Sequence, residues 1–227
     1  MRIDSVDIIK DLVLGIPFPM RFDEVEMQGS SWKLYTYNTQ YLTKGFTIEI
    51  GNLIYKIIDI DSESITVTGS EIPDISIGFY LPPLKFWHGT IIQTNTELTK
   101  LTNVFDKTPM CYLQRPFREI VNGKEFAVDR EIDLTLYFLT QANFPAWSTD
   151  EHDRYAIKPM KNVVEAFIKH INGNKFVGVF DTFTSTDRIK FGVGFDRGVE
   201  KSYWTDCLSG VEIGINLPIL KNYQCNC

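Results

Sequence analysis

An α+β fold is what this 227-residue sequence predicts: an antiparallel or mixed sheet with two packed helices, plus an inserted all-β module. Three observations predict it. Ser148-x-x-Glu151 has the form of a helix capping box, and behind it Tyr155, Ala156, Met160, Val163, Val164, Phe167, Ile168 and Ile171 recur at helical period. Phe126 to Leu139 and Gly210 to Leu217 alternate with period two, apolar residues against polar ones. Between about residues 30 and 95 turn residues come at short intervals, and no helical period of useful length is visible.

The elements follow in order. Ile3, Val6, Ile9, Leu12 and Val13 predict a first helix, with Asp4 and Asp7 near its positive end, Gly15 as a stop, and Pro17 and Pro19 preventing continuation. So short a helix is marginal alone and must dock on something. Trp32 to Tyr37 alternates. Phe46 to Ile50 and Leu53 to Ile58 read as a hairpin over Gly51-Asn52. Asp61 to Ser64 makes a second turn before Ile65 to Thr68. Ser76 to Leu81 and Phe86 to Ile92 are further strands, so the module holds five to seven. Met110 to Gln114 is a short apolar strand. Phe126 to Leu139 is a longer one, with Val128, Arg130, Ile132, Leu134, Leu136 and Phe138 on one side. Pro159 inside the capped helix predicts a kink or restart, and Asn172-Gly173-Asn174 ends it. Phe176 to Phe183, Arg188 to Phe195 and Gly210 to Leu217 close the chain as three strands. The division is therefore 1–20, an N-terminal helix on the C-terminal core; 21–105, the β-rich module; and 106–227, an α/β core.

Composition narrows function without naming it. Asp plus Glu number 29 against 23 Lys plus Arg, a net charge of −6, which does not suit a protein that grips phosphate backbones. No apolar run approaches the roughly 18 residues of a membrane span. Met1-Arg2-Ile3-Asp4 places an acid where a secretory leader would continue its apolar stretch, so an unprocessed intracellular product with reduced thiols is expected. Cys111 lies in an apolar stretch, Cys207 stands alone, and Cys225-x-Cys227 is too closely spaced for the usual zinc pair.

The candidate chemistry is sparse. His152 and His170 lie 18 residues apart, about 27 Å along an unbroken helix, and cannot share a metal or a reacting atom. His170 sits near a helix C-terminus, where the dipole mildly favours an imidazolium. His88, between bulky aromatics and a glycine, could line a pocket. Asp129, Glu131 and Asp133 alternate, so a strand presents them on one face, where such a row could hold Mg²⁺; a solvated or interface face is the plainer reading. Gly192-Val193-Gly194 through Gly198 has the wrong spacing and no following helix for a dinucleotide site, and reads as a strand end and turn. No P-loop, Gly-x-Ser-x-Gly or His-Glu-x-x-His occurs.

With the N-terminal helix added, the order of elements in 106–227 resembles the tail terminator (tail completion) proteins of tailed bacteriophages and related neck proteins. In those families a helix leads into an antiparallel sheet, and a second helix packs on the sheet before the final strands. The counterparts here are Asp4 to Leu14, the strands around Met110 and Phe126 to Leu139, the helix from about Asp150 to Ile171, and the last three strands. The aromatic-rich composition, with Tyr and Asn, is also similar to virion proteins of Bacteroidetes phages. The resemblance implies a virion structural protein and no enzyme. Copies would form a ring, commonly a hexamer, that caps the tail tube and joins it to the head connector. Its partners would be itself, the tube and the neck or connector proteins, with genome DNA passing through without tight binding and no membrane. It would be made in the host cytoplasm and end in the virion. No catalytic, cofactor or metal residue carries over, and no cofactor is implied. The β-rich stretch departs from the simplest members and would project toward a neighbouring ring or subunit. The alternative is a small metal-dependent nuclease or other processing enzyme using Asp129, Glu131 and Asp133 around His88.

Overall fold

A computed structural model describes residues 4–17, 19–20, 22–36, 39, 42, 44–45, 47–50, 53–76, 79–80, 84–102, 106–123, 128–178, 182–196 and 199–220. The chain divides into two units, Met1–Ile16 with Leu84–Cys227, and Pro17–Pro83. The fold is α+β with antiparallel and mixed sheets, as the sequence predicts.

Helix α1 (Ser5–Leu14) begins where Asp4 caps it, the Val6 amide donating to Asp4 Oδ1 at 2.7 Å. Val6, Ile8, Ile9, Leu12 and Val13 form its buried face. Gly15 ends the helix in ordinary right-handed backbone, so its value is space: a Cβ there would lie 3.0 Å from both the Asp11 carbonyl oxygen and His170 Nε2.

The smaller unit carries β1 (Pro19–Met20), β2 (Glu24–Gln28), β3 (Ser31–Tyr35), β4 (Thr47–Ile50), β5 (Leu53–Ile60), β6 (Ser64–Thr68) and β7 (Phe79–Tyr80). Five of them make one antiparallel sheet in the order β2-β3-β6-β5-β4, and β1 pairs with β7. The alternation read from the sequence sets the buried face: Leu34, Ile48, Ile50, Tyr55, Ile57, Ile65 and Val67 point inward and gather Phe22 and Leu42. β4 and β5 are the predicted hairpin; its turn residues, Gly51 and Asn52, lie outside the described residues. The predicted strand from Ser76 to Leu81 is described only at Phe79–Tyr80.

The larger unit is built on a six-stranded sheet. Its strands are β8 (Lys85–Gly89), β9 (Met110–Gln114), β10 (Arg118–Val121), β11 (Val128–Gln141), β12 (Phe183–Phe191) and β15 (Leu208–Leu220). The order is β12-β15-β11-β9-β8, with β10 following β9 along the same side of β11. All pairs are antiparallel except β8 with β9. β11 and β15 pair over nearly their full lengths, from Val128 opposite Leu220 to Gln141 opposite Leu208. Between β12 and β15 lie β13 (Val193–Asp196) and β14 (Val199–Ser202), which form a separate ribbon.

One face of this sheet is covered by helices. Ser148 and Glu151 form the predicted capping box at α3 (Thr149–His152). A π-helical turn follows at Asp153–Ile157, where the Lys158 amide reaches back to the Asp153 carbonyl, and then α4 runs over Lys158–Asn172. Pro159 explains the widened turn, because it has no amide to donate to the preceding turn. Met160, Val163, Val164, Phe167 and Ile171 are buried, and the Phe167 ring lies 5.4 Å from that of Phe138 on β11. The other face carries an aromatic cluster of Tyr112, Tyr137, Phe191 and Trp204, closed by Leu98 and Leu208. Lys107 and Asp206 tie the segments that close it, with Nζ 3.0 Å from each carboxylate oxygen.

Three expectations need correction. The β-rich module stops at Pro83, not at 105: β8 pairs in parallel with β9 and so joins the sheet that contains Ile132 and Ile213. A third helix, α2 (Ile91–Leu98), occupies part of what reads as strand, and its signal was present: Thr90 and Gln93 form a capping box. The strands expected over Phe176 to Phe183 and Arg188 to Phe195 are displaced, the second being broken at Gly192, beyond which β13 pairs with β14. Val177 makes only an isolated bridge to Ile219, and the continuous strand runs from Phe183 to Phe191.

Phe167 is 1% exposed in the helix–sheet core. Phe167→Ala is expected to cost about 3–5 kcal/mol in urea unfolding, and a loss within about 0.5 kcal/mol would show that this face is not the core.

Candidate functional site

The acidic row is occupied by structural bonding. Arg130, only 4% exposed, points to the helix face of β11, where its Nε donates to Asp129 Oδ2 at 2.9 Å and its Nη1 lies 3.0 Å from Glu119 Oε1 on β10. Nη1 also donates to Ser5 Oγ at 2.9 Å, which ties the N-terminal helix to the sheet. Asp133 accepts a hydrogen bond from Asn216 Nδ2 on β15, and Glu131 is half-buried opposite Ile120 and Pro218. His88 is exposed on β8 in the row of Leu113 and Leu136. Strand alternation puts that row on the opposite sheet face from Asp133, and two strand spacings of about 4.8 Å separate β8 from β11. His88 is therefore not brought to the acids. Among the described residues no group of three or more His, Cys, Asp or Glu side chains is placed to hold a metal ion.

The described part of the glycine motif is a turn at Gly192 followed by strand β13. Gly192 has φ +73° and lies against Trp204, so a side chain there would both strain the backbone and overlap the indole. Gly198 lies outside the described residues, as do Cys225 and Cys227. Cys111 is buried, and desolvation pushes its thiol well above the usual value. Tyr112 and Tyr137 donate to the Gly89 carbonyl at 2.8 Å and to Gln114 Oε1 at 2.7 Å. Burial pushes both hydroxyls up to about 12, so the pair keeps its protons at neutral pH.

His152, which the sequence separates from His170 by spacing, has a role that the sequence does not assign. It is buried at the end of α3, its Nδ1 3.1 Å from Ser209 Oγ on β15, and Ser209 in turn donates to the Ile189 carbonyl on β12. This histidine–serine pair ties α3 to β15 and β12. Trp147 and Phe144 pack on the ring at 5.4 and 5.9 Å. Burial, and then the charge of Lys190, lower the pKa of His152. No spacing rule reveals a pair separated by 57 residues. His170 also departs from expectation: burial lowers its pKa, outweighing the favourable helix terminus.

The surfaces that remain unspent are strand edges. β12 is the terminal strand on one side, and its residues from Phe183 to Lys190 are all exposed. On the other side the sheet ends in β8, half-buried over most of its length, and beside it in β10, whose four residues, Ile120 and Val121 among them, are exposed. In the smaller unit β2 is an edge strand, with Met27 exposed. Comparison with protein-family models, curated proteins and solved structures gave no match.

Two measurements check this arrangement. Arg130→Ala is expected to cost about 3–5 kcal/mol in urea unfolding, because the buried guanidinium leaves carboxylates without their partner. Both lowered histidines have folded-state pKa values below the reference 6.5. As pH falls through about 6.5 the unfolded chain takes up protons that the folded chain refuses, so stability decreases. Urea midpoints should drop from pH 7.5 to 5, and His152→Gln should flatten that dependence.

Proposed function

We propose that this chain is a structural subunit of a tailed-phage virion, of the tail terminator or neck type, working by ring assembly and surface complementarity. The observation that carries the reading is the larger unit's architecture. A leading helix and a second, capped helix lie with an antiparallel ladder in the order of those families, and the sheet ends in strands with no partner beyond them among the described residues. Exposed edge strands are costly to leave open and pair readily with another chain. A closed ring of heterologous contacts buries such surfaces, and each contact is expected to bury at least about 1,000 Å². The smaller unit, now bounded at Pro17–Pro83, is the part assigned to a neighbouring ring or subunit.

A metal-dependent nuclease built on Asp129, Glu131, Asp133 and His88 is the weaker reading. Asp129 is bonded to Arg130 and Asp133 to Asn216, and His88 belongs to the opposite sheet face.

Antibody labelling of virions viewed by electron microscopy tests the proposal: label should collect at the head–tail junction or tail end, and label confined to the capsid or absent from virions would refute it. The acidic balance also predicts that duplex DNA binds more weakly than about 10⁻⁴ M at physiological salt. Micromolar binding that falls steeply with salt, measured by fluorescence anisotropy, would contradict a subunit past which DNA must slide.

A further inference from the structure

We infer that in the free protein the β12 edge is closed by the β12 edge of a second copy, in a two-fold antiparallel pair centred on Thr186. β12 is nine residues long, ends the sheet, and exposes eight consecutive residues. An antiparallel continuation of the sheet by a two-fold axis keeps each residue opposite one on the same face, so the axis must pass through a residue position. The faces are set by β15: Ser185 and Asp187 stand over Ile213 and Val211 on the helix side, where Asp187 meets Lys161 at 2.8 Å. Thr184, Thr186 and Arg188 take the other side, where Arg188 Nε donates to Glu212 at 2.6 Å.

The pattern of charges and hydroxyls then chooses the register. Centring on Asp187 or on Arg188 places like charges directly opposite, which is destabilising. Centring on Ser185 sets Phe183 against Asp187. Centring on Thr186 puts Thr186 opposite itself, Ser185 opposite Asp187 and Thr184 opposite Arg188, all within the regular stretch that ends at Arg188, where the ladder with β15 shifts register. The hydroxyls then face charged groups that they can hydrogen-bond. The edge at β10 is a poorer occupant. It offers four residues, and the strand line before it is already taken, since the Arg115 amide donates to the Gly89 carbonyl at 2.9 Å. A two-fold contact closes on itself, so this inference stands apart from the ring reading.

The register makes a covalent test possible, because directly opposed residues have Cα atoms about 4.5–5.5 Å apart, within disulfide range. In the full chain carrying Cys207→Ser, Cys225→Ser and Cys227→Ser, Thr186→Cys should oxidise to a single covalent dimer. An oxidised mixture of Thr184→Cys and Arg188→Cys chains should give the mixed dimer, and Ile120→Cys on the other edge should give none. By sedimentation equilibrium the unmodified chain should be a dimer, and Thr186→Lys should weaken it at least ten-fold. Thr184, Thr186, Arg188 and Ile120 are exposed, and an unchanged thermal midpoint confirms folding. A monomer at about 100 μM, a dimer in which Thr186→Cys does not cross-link, or equal cross-linking through Ile120→Cys would overturn the inference.

Discussion

The long ladder between β11 and β15 is the constraint on which the larger unit depends. Two strands of 14 and 13 residues pair antiparallel and lie inside the sheet, with β12 outside one and β9 and β10 outside the other. Because side chains alternate, the same ladder presents Ile132, Leu136, Phe138, Val211 and Ile213 to one side and Tyr137, Leu139 and Leu208 to the other. Both sides must be covered, which is why the unit needs helices on one face and a folded-over aromatic segment on the other. The backbones approach so closely at Gly210 that any Cβ would overlap the Phe138 carbonyl, so the ladder tolerates no side chain there.

The buried polar groups follow from that two-sided core. Where a segment crosses from sheet to covering layer, a polar side chain fixes the joint: Arg130 holds Ser5, His152 holds Ser209, and Lys107 holds Asp206. None is an efficient source of net stability, since a buried charge gives back much of its Coulomb energy as desolvation. Each is nonetheless specific, because a misplaced segment would leave that group buried without partners. The residues with the most chemical character in the sequence are thus largely used to position elements.

What is left over is edge. An interior built on one long ladder has two sides, and here β12 on one side and β10 on the other are exposed over most or all of their length. Assembly is the physical use for such a surface, whether through a head-to-tail ring contact or a two-fold pairing of like strands. The order of hydroxyl and charged residues from Thr184 to Arg188 gives that edge a preferred register, where a uniformly apolar edge would have none.

The sequence by itself determined the elements whose signals are local. The Asp4 and Ser148 caps, the stripe from Met160 to Ile171, the period-two runs of β11 and β15 and the strands β3 to β6 of the small unit depend on neighbours within a few residues. Even the overlooked α2 had its cap written in Thr90 and Gln93, masked by eight residues of weak amphipathicity. Tertiary structure decided the rest. Whether Phe86 to Gly89 joins the small module or the large sheet depends on pairing with β9, which no local pattern encodes. Whether Asp129 and Asp133 form a metal row or brace the core depends on Arg130 and Asn216, and for Asp133 the partner lies 83 residues away. His152 became a tie between a helix and two strands because folding set Ser209 beside it, and burial rather than sequence context lowered its pKa.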